Sequence, residues 1–161
     1  MTRRNSSKNG FTLLEFLIYI SVLTIVLLSV LGILNITNNV RARQEAKTEV
    51  LRNTSFVTER INRLGKDADS FGSIVTTSAE FIQGGITTTV FVTSSEFRIK
   101  KDASEENLIA SVVLAEQVTS TEPIFKKIGS TVQMKLQLRY NDKGNPLYKY
   151  STNVETTITL R

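Results

Sequence analysis

The chain has 161 residues, of which 40% are apolar and 22% charged, and a net charge of +5, enough for one modest domain. It contains neither His nor Cys. That excludes a Ser-His-Asp triad, a Cys nucleophile, a His general base, a disulfide and an ordinary Cys/His zinc site.

The first ten residues hold Arg3, Arg4 and Lys8 against no acid, while the remaining 151 carry 17 bases and 15 acids. A basic flank of this kind reads as the inside-facing end of a membrane segment, not as a nucleic-acid patch. The apolar block that follows runs from Phe11 to Leu34, with one acid, Glu15, and no base. As a helix its 24 residues would span about 36 Å, more than the roughly 30 Å that hydrocarbon requires. A secretory signal has a shorter run and a small-residue cleavage site. Asn35-Ile-Thr-Asn-Asn39 offers no such site, so the helix is expected to stay in the protein. Glu15 is the anomaly, because a carboxylate at the centre of a membrane helix costs roughly 2.5–3.5 kcal/mol. Either it reaches water at the interface, or it meets a cation in an assembled state.

Gly10-Phe11-Thr12-Leu13-Leu14-Glu15, after a short basic leader and before an unbroken apolar run, resembles the class III signal of type IV pilins and type II secretion pseudopilins. The resemblance implies that a prepilin peptidase removes residues 1–10 by cutting after Gly10 and methylates the new amine of Phe11. It also implies that Glu15 is the assembly glutamate, neutralising the Phe11 amine of a neighbouring subunit. A lone buried charge is heavily penalised whereas a paired one is tolerable, so such a contact selects register. Gly10 fits a cleavage that needs close approach to the backbone.

Beyond the block, Ile36, Val40, Val50, Thr54, Val57, Ile61 and Leu64 follow helical steps, with Arg43 and Lys47 in the missing places. No Pro interrupts residues 11–64, so one helix of about 80 Å is expected, with Gly65 a credible C-cap or the helix fraying on through Lys66-Asp67-Ala68. Its membrane half is residues 11–34 and its amphipathic half residues 35–70. A coiled coil over residues 36–64 is the alternative. Many major pilins carry a mid-helix proline, and the corresponding place here holds Gly32.

From residue 71 the period changes to two. Ser73–Thr77, Ile86–Val92, Glu96–Lys100, Val132–Tyr140 and Asn153–Leu160 read as strands. Gly84-Gly85 and Asn141–Pro146 read as turns. Residues 71–161 are expected to form a β-rich head, one antiparallel sheet of five to seven strands against the helix. The fold class is therefore α+β, and the pilin-like fold is the resemblance that fits it. Ala46–Ile61 and the closing Thr-Thr-Ile-Thr-Leu-Arg161 resemble the J-type minor pseudopilins and W-type minor pilins. A K-type tip subunit is disfavoured, since that class lacks the glutamate found at Glu15.

Smaller constellations have plainer readings. Asn141, Asp142 and Asn145 could ligate Ca²⁺ but lack the EF-hand spacing, and a turn is favoured. Asp102, Glu105 and Glu106 read as a solvated loop beside Lys100 and Lys101. Two isolated pairs, Lys100-Lys101 and Lys126-Lys127, are weak grounds for DNA contact. Asn35 and Asn53 match the glycosylation pattern within the helix. No catalytic residue, metal or cofactor is expected, and no enzyme. The partners implied are the prepilin peptidase, other pilin or pseudopilin subunits, the inner membrane and its assembly platform. Nucleic acid enters only for a competence pilus. The function implied is a minor, filament-assembling subunit, single-pass in the inner membrane with an extracytoplasmic head. The alternative is a filament-displayed subunit that binds DNA, a surface or a secretion substrate.

Overall fold

A computed structural model describes residues 12–160 of the chain. With no proline to remove a backbone donor, the N-terminal segment forms one helix, α1, Leu13–Asp67. The chain divides into two compact units after Val40.

In the first unit every residue from Thr12 to Ile36 is exposed, so the helix presents apolar side chains all round. By length and composition it can cross a membrane. Its polar side chains are adapted to such a setting. Ser21, Thr24, Ser29 and Thr37 each donate a hydroxyl hydrogen bond to the carbonyl four residues back, at 2.7–2.8 Å. The hydroxyls are thereby satisfied without water.

In the second unit α1 buries Ala42, Ala46, Val50, Asn53, Val57, Ile61 and Gly65, a single face at steps of three and four. This corrects the expected stripe at its front end. Ile36 and Val40 are 66% and 46% exposed, and the seam runs instead through two alanines that admit close packing. Of the two ends expected for the helix, the C-cap at Gly65 gives way to the run through Lys66-Asp67. The helix continues to Asp67, and Gly65 is buried inside it. A Cβ at Gly65 would lie 1.9 Å from Ile158 Cγ2, so the glycine is there for close approach and not for chain reversal.

Among the described residues nine strands follow, in two antiparallel sheets where one sheet of five to seven strands was expected. The first is a meander of β1 (Ser70–Val75), β2 (Ser78–Gln83), β3 (Ile86–Thr93), β4 (Glu96–Lys101) and β5 (Ser104–Asn107), paired in that order. Gly84 and Gly85, at φ 55° and 83°, form the expected two-residue turn between β2 and β3. In the second sheet the long β8 (Thr131–Tyr140) is central. It pairs on one side with β6 (Val113–Glu116) and then β7 (Phe125–Ile128), and on the other with β9 (Ser151–Thr159). The sheets are joined at two places: Ile124 N–H donates to Thr76 O (2.9 Å) and Ala115 N–H to Ser95 O (2.7 Å).

Period-two alternation puts one face of every long strand inward. Val132, Met134, Leu136 and Leu138 of β8 are wholly buried, with Phe81, Val90 and Phe97 from the first sheet and Val50, Val57 and Ile61 from α1. Phe97 stacks on Phe125 across the sheets, centroids 6.4 Å apart. Burying each such side chain stabilises by about 1.5–3 kcal/mol. The result is the expected α+β, pilin-like architecture.

Candidate functional site

Two of the three expected site residues, Gly10 and Phe11, lie outside the described residues. Glu15 lies within them, in the first turn of α1. The turn is built by its own sequence. Thr12 stands just before the helix: its carbonyl accepts from Phe16 N–H (3.1 Å) and its Oγ1 from Glu15 N–H (3.2 Å). Thr12 is therefore the N-cap, and Thr-x-x-Glu before an apolar run is the capping-box order. Sequence reasoning passed over Thr12, although that four-residue pattern could have found it. Glu15 is exposed and makes no ion pair among the described residues.

This geometry changes the cost of the anomalous carboxylate. Four N–H groups at a helix start have no intrahelical partner, and the helix dipole is positive there, so an acid in the first turn is favoured by about 0.3–1 kcal/mol. Glu15 sits where the helix itself tolerates a negative charge, at the end of the apolar run and not at its centre. What the arrangement offers chemically is an acceptor at the start of an otherwise apolar rod, suited to a cation on another chain.

The other constellations fall where local structure uses them. Asp142 Oδ1 accepts from Gly144 N–H (2.9 Å) and Asn145 Oδ1 from Leu147 N–H (3.1 Å), capping a short 3-10 turn, Pro146–Tyr148. The acidic stretch Glu105–Glu106 is strand β5, not a loop. Its Glu105 pairs with Arg98 Nη1 at 2.7 Å, while Arg98 Nε donates to Glu96 at 2.7 Å. Donating first to Glu105 and then to Glu96 strengthens the hold of Arg98 on its proton. Arg139 is held likewise by Glu116 (2.8 Å).

The two lysine pairs occupy strands of different sheets, Lys100-Lys101 on β4 and Lys126-Lys127 on β7. Asn53 is buried. Its Oδ1 accepts from Ala110 N–H (2.8 Å), and its Nδ2 donates to Glu49 O (2.8 Å), so it clasps the β5–β6 connection to α1 and is no glycan acceptor. A cleft of about 260 Å³ lies beside the end of α1, where Arg60, Arg63 and Lys101 face Asp67 and Glu106. Among the described residues no group of three or more acids could hold a metal ion.

One family model matches, the prokaryotic N-terminal methylation motif, over residues 5–31, about one sixth of the chain. No curated protein and no solved structure matches. The match takes in Lys8 of the leader, the Gly10–Glu15 string and most of the exposed apolar block, and begins after Arg3 and Arg4.

Proposed function

We propose that the chain is a filament subunit of the type IV pilin and pseudopilin family, a reading supported by the methylation motif and the helix-on-sheet architecture. In this reading a prepilin peptidase cuts between Gly10 and Phe11 and methylates the Phe11 amine. The apolar block holds the processed subunit in the inner membrane, with the head outside the cytoplasm. Assembly then pairs Glu15 with the Phe11 amine of a neighbour. The observation that carries the proposal is the coincidence of that motif with a first turn that stabilises a carboxylate, at the head of an exposed apolar helix. The subunit works through assembly and not through catalysis.

Within the family a minor subunit is the finer reading. Its support is the unbroken run of α1 through Gly32, where many major pilins have proline, together with the J-type and W-type likeness of residues 46–61.

Processing supplies the test. Gly10→Val places a branched side chain at the scissile bond and should leave the chain uncut, with Met1 or Thr2 still at its N-terminus. Mass spectrometry of the membrane fraction reads this directly. A mutant that begins at methylated Phe11 would sink the cleavage assignment.

A further inference from the structure

A sheet edge with free backbone donors and acceptors is a template for another strand, and folded proteins normally blunt such edges with bulges, lysines, prolines or short length. Among the described residues, four of the five strands at a lateral edge are blunted. β1 has a register break between Phe71 and Ile74, where Ser73 N–H turns aside to Glu80 Oε2 (2.8 Å). β5 has four residues, two of them Glu. β6 and β7 also have four each. β6 is tied to the first sheet through Ser95 O, and β7 is tied through Thr76 O and carries Lys126 and Lys127.

β9 has none of these devices. It is nine residues long, its register against β8 is unbroken from Ser151 to Thr159, and it has no proline and one charge, Glu155. The phase of the ladder shows which groups are free. Tyr140 N–H donates to Tyr150 O (2.9 Å), while Lys135 N–H points the other way, to Ile124 O (2.8 Å). In an antiparallel pair these directions alternate. The even-numbered residues of β9 therefore bond to β8, and the N–H and C=O of Ser151, Asn153, Glu155, Thr157 and Thr159 point away from it. All five of these residues are exposed. The even-numbered side chains are held against the core: Val154 and Ile158 are buried, and Thr156 Oγ1 donates to Asn62 Oδ1 (3.1 Å).

We propose that the outer edge of β9 is a docking site for an extended strand of a partner protein that places a basic residue opposite Glu155. The charge argues for the occupant. A second copy of β9, paired antiparallel about its centre, would set two Glu155 carboxylates face to face, and like charges opposite one another destabilise a strand pair. Glu155 remains 57% exposed although Gln133 and Lys135 reach it from β8, so it is open to a cation from the other side. Main-chain hydrogen bonds supply affinity in strand addition, and the cross-strand charge supplies selection.

The test uses the full chain in detergent and a labelled, end-blocked heptapeptide of alternating threonine and valine with a central lysine. Fluorescence anisotropy should show saturable binding, weakened roughly fivefold when the central residue is glutamate. Hydrogen exchange should slow at the amides of Asn153, Glu155 and Thr157, with no change at Val154 and Thr156. Glu155→Lys should reverse the preference between the two peptides. Thr157→Pro removes one outward N–H and leaves the ladder to β8 intact, a substitution that edge strands tolerate. It should weaken binding at least about tenfold. No saturable binding up to about 1 mM peptide, an unchanged preference in Glu155→Lys, or protection elsewhere in the head would overturn the proposal.

Discussion

Glu15 serves its own helix as a first-turn acid, and in the proposed filament it serves another chain as well. Replacing it by leucine removes first-turn charge worth about 0.3–1 kcal/mol. In the proposed assembled state it would also strand a neighbour's amine, at roughly 3–5 kcal/mol. The second term is the larger, so Glu15→Leu should be processed and inserted normally yet fall at least tenfold in sheared filaments or in a detergent-extracted complex, by the arithmetic of about 1.4 kcal/mol per decade. Normal recovery of the mutant would show that Glu15 merely sits at the interface. A second residue gives a pH signature. Burial lifts the phenol pKa of Tyr140, with Glu45, Tyr148 and Glu49 adding to the shift. Its folded value is raised above the unfolded one, so the associated stability is full below the ordinary phenol range near pH 10. It is lost as pH climbs on through the folded value. The thermal midpoint of the native chain should therefore drop relative to that of Tyr140→Phe between about pH 9 and about pH 11. Parallel curves would contradict it. Of the site, Glu15 stood out in the sequence as the one acid of an apolar block, whereas the cap that Thr12 gives its turn was passed over. The clasp of Asn53 on Ala110 was not legible, since a separation of 57 positions carries no local signal.

At the scale of elements, the contact between α1 and β9 sets the sharpest tolerance. Gly65→Ala improves intrinsic helix propensity by about 1 kcal/mol, but its Cβ enters space filled by Ile158. Overpacking costs about 1–3 kcal/mol and should win, lowering stability in denaturant unfolding. The double mutant Gly65→Ala, Ile158→Ala should cost less than the sum of the two single changes. Strict additivity would mean that helix and strand do not meet there. The same contact shows where sequence reading stops. Gly65 looked like punctuation because glycine ends helices, and its packing role depends on a strand more than ninety residues away. Long strands such as β3 and β8 were legible because eight to ten residues suffice to show alternation. The four-residue strands β5, β6 and β7 are too short for that, and they exist because turns and neighbours place them. Ser94 and Ser95, at φ 52° and 67°, make the β3–β4 turn without any glycine to announce it. Two sheets were read as one because alternation reports a face, not a partner.

For the whole molecule, the asymmetry of charge sets the proposed orientation. Arg3, Arg4 and Lys8 should hold the N-terminus in the cytoplasm, with residues 35–161 on the far side. A reporter fused after Arg161 should be active only outside the cytoplasm, and cytoplasmic activity would contradict both the topology and the filament reading. Orientation is one requirement of such a subunit; leaving the membrane for a filament is another. Ser21, Thr24, Ser29 and Thr37 bear on that second step, because each hydroxyl proton is already given to a carbonyl of its own helix. These four side chains need no new acceptor when lipid is exchanged for neighbouring helices. At these positions the proposed transfer would be a change of solvent between two media of similar polarity, settled by how well surfaces fit, and it would run in either direction without a hydroxyl bond being broken.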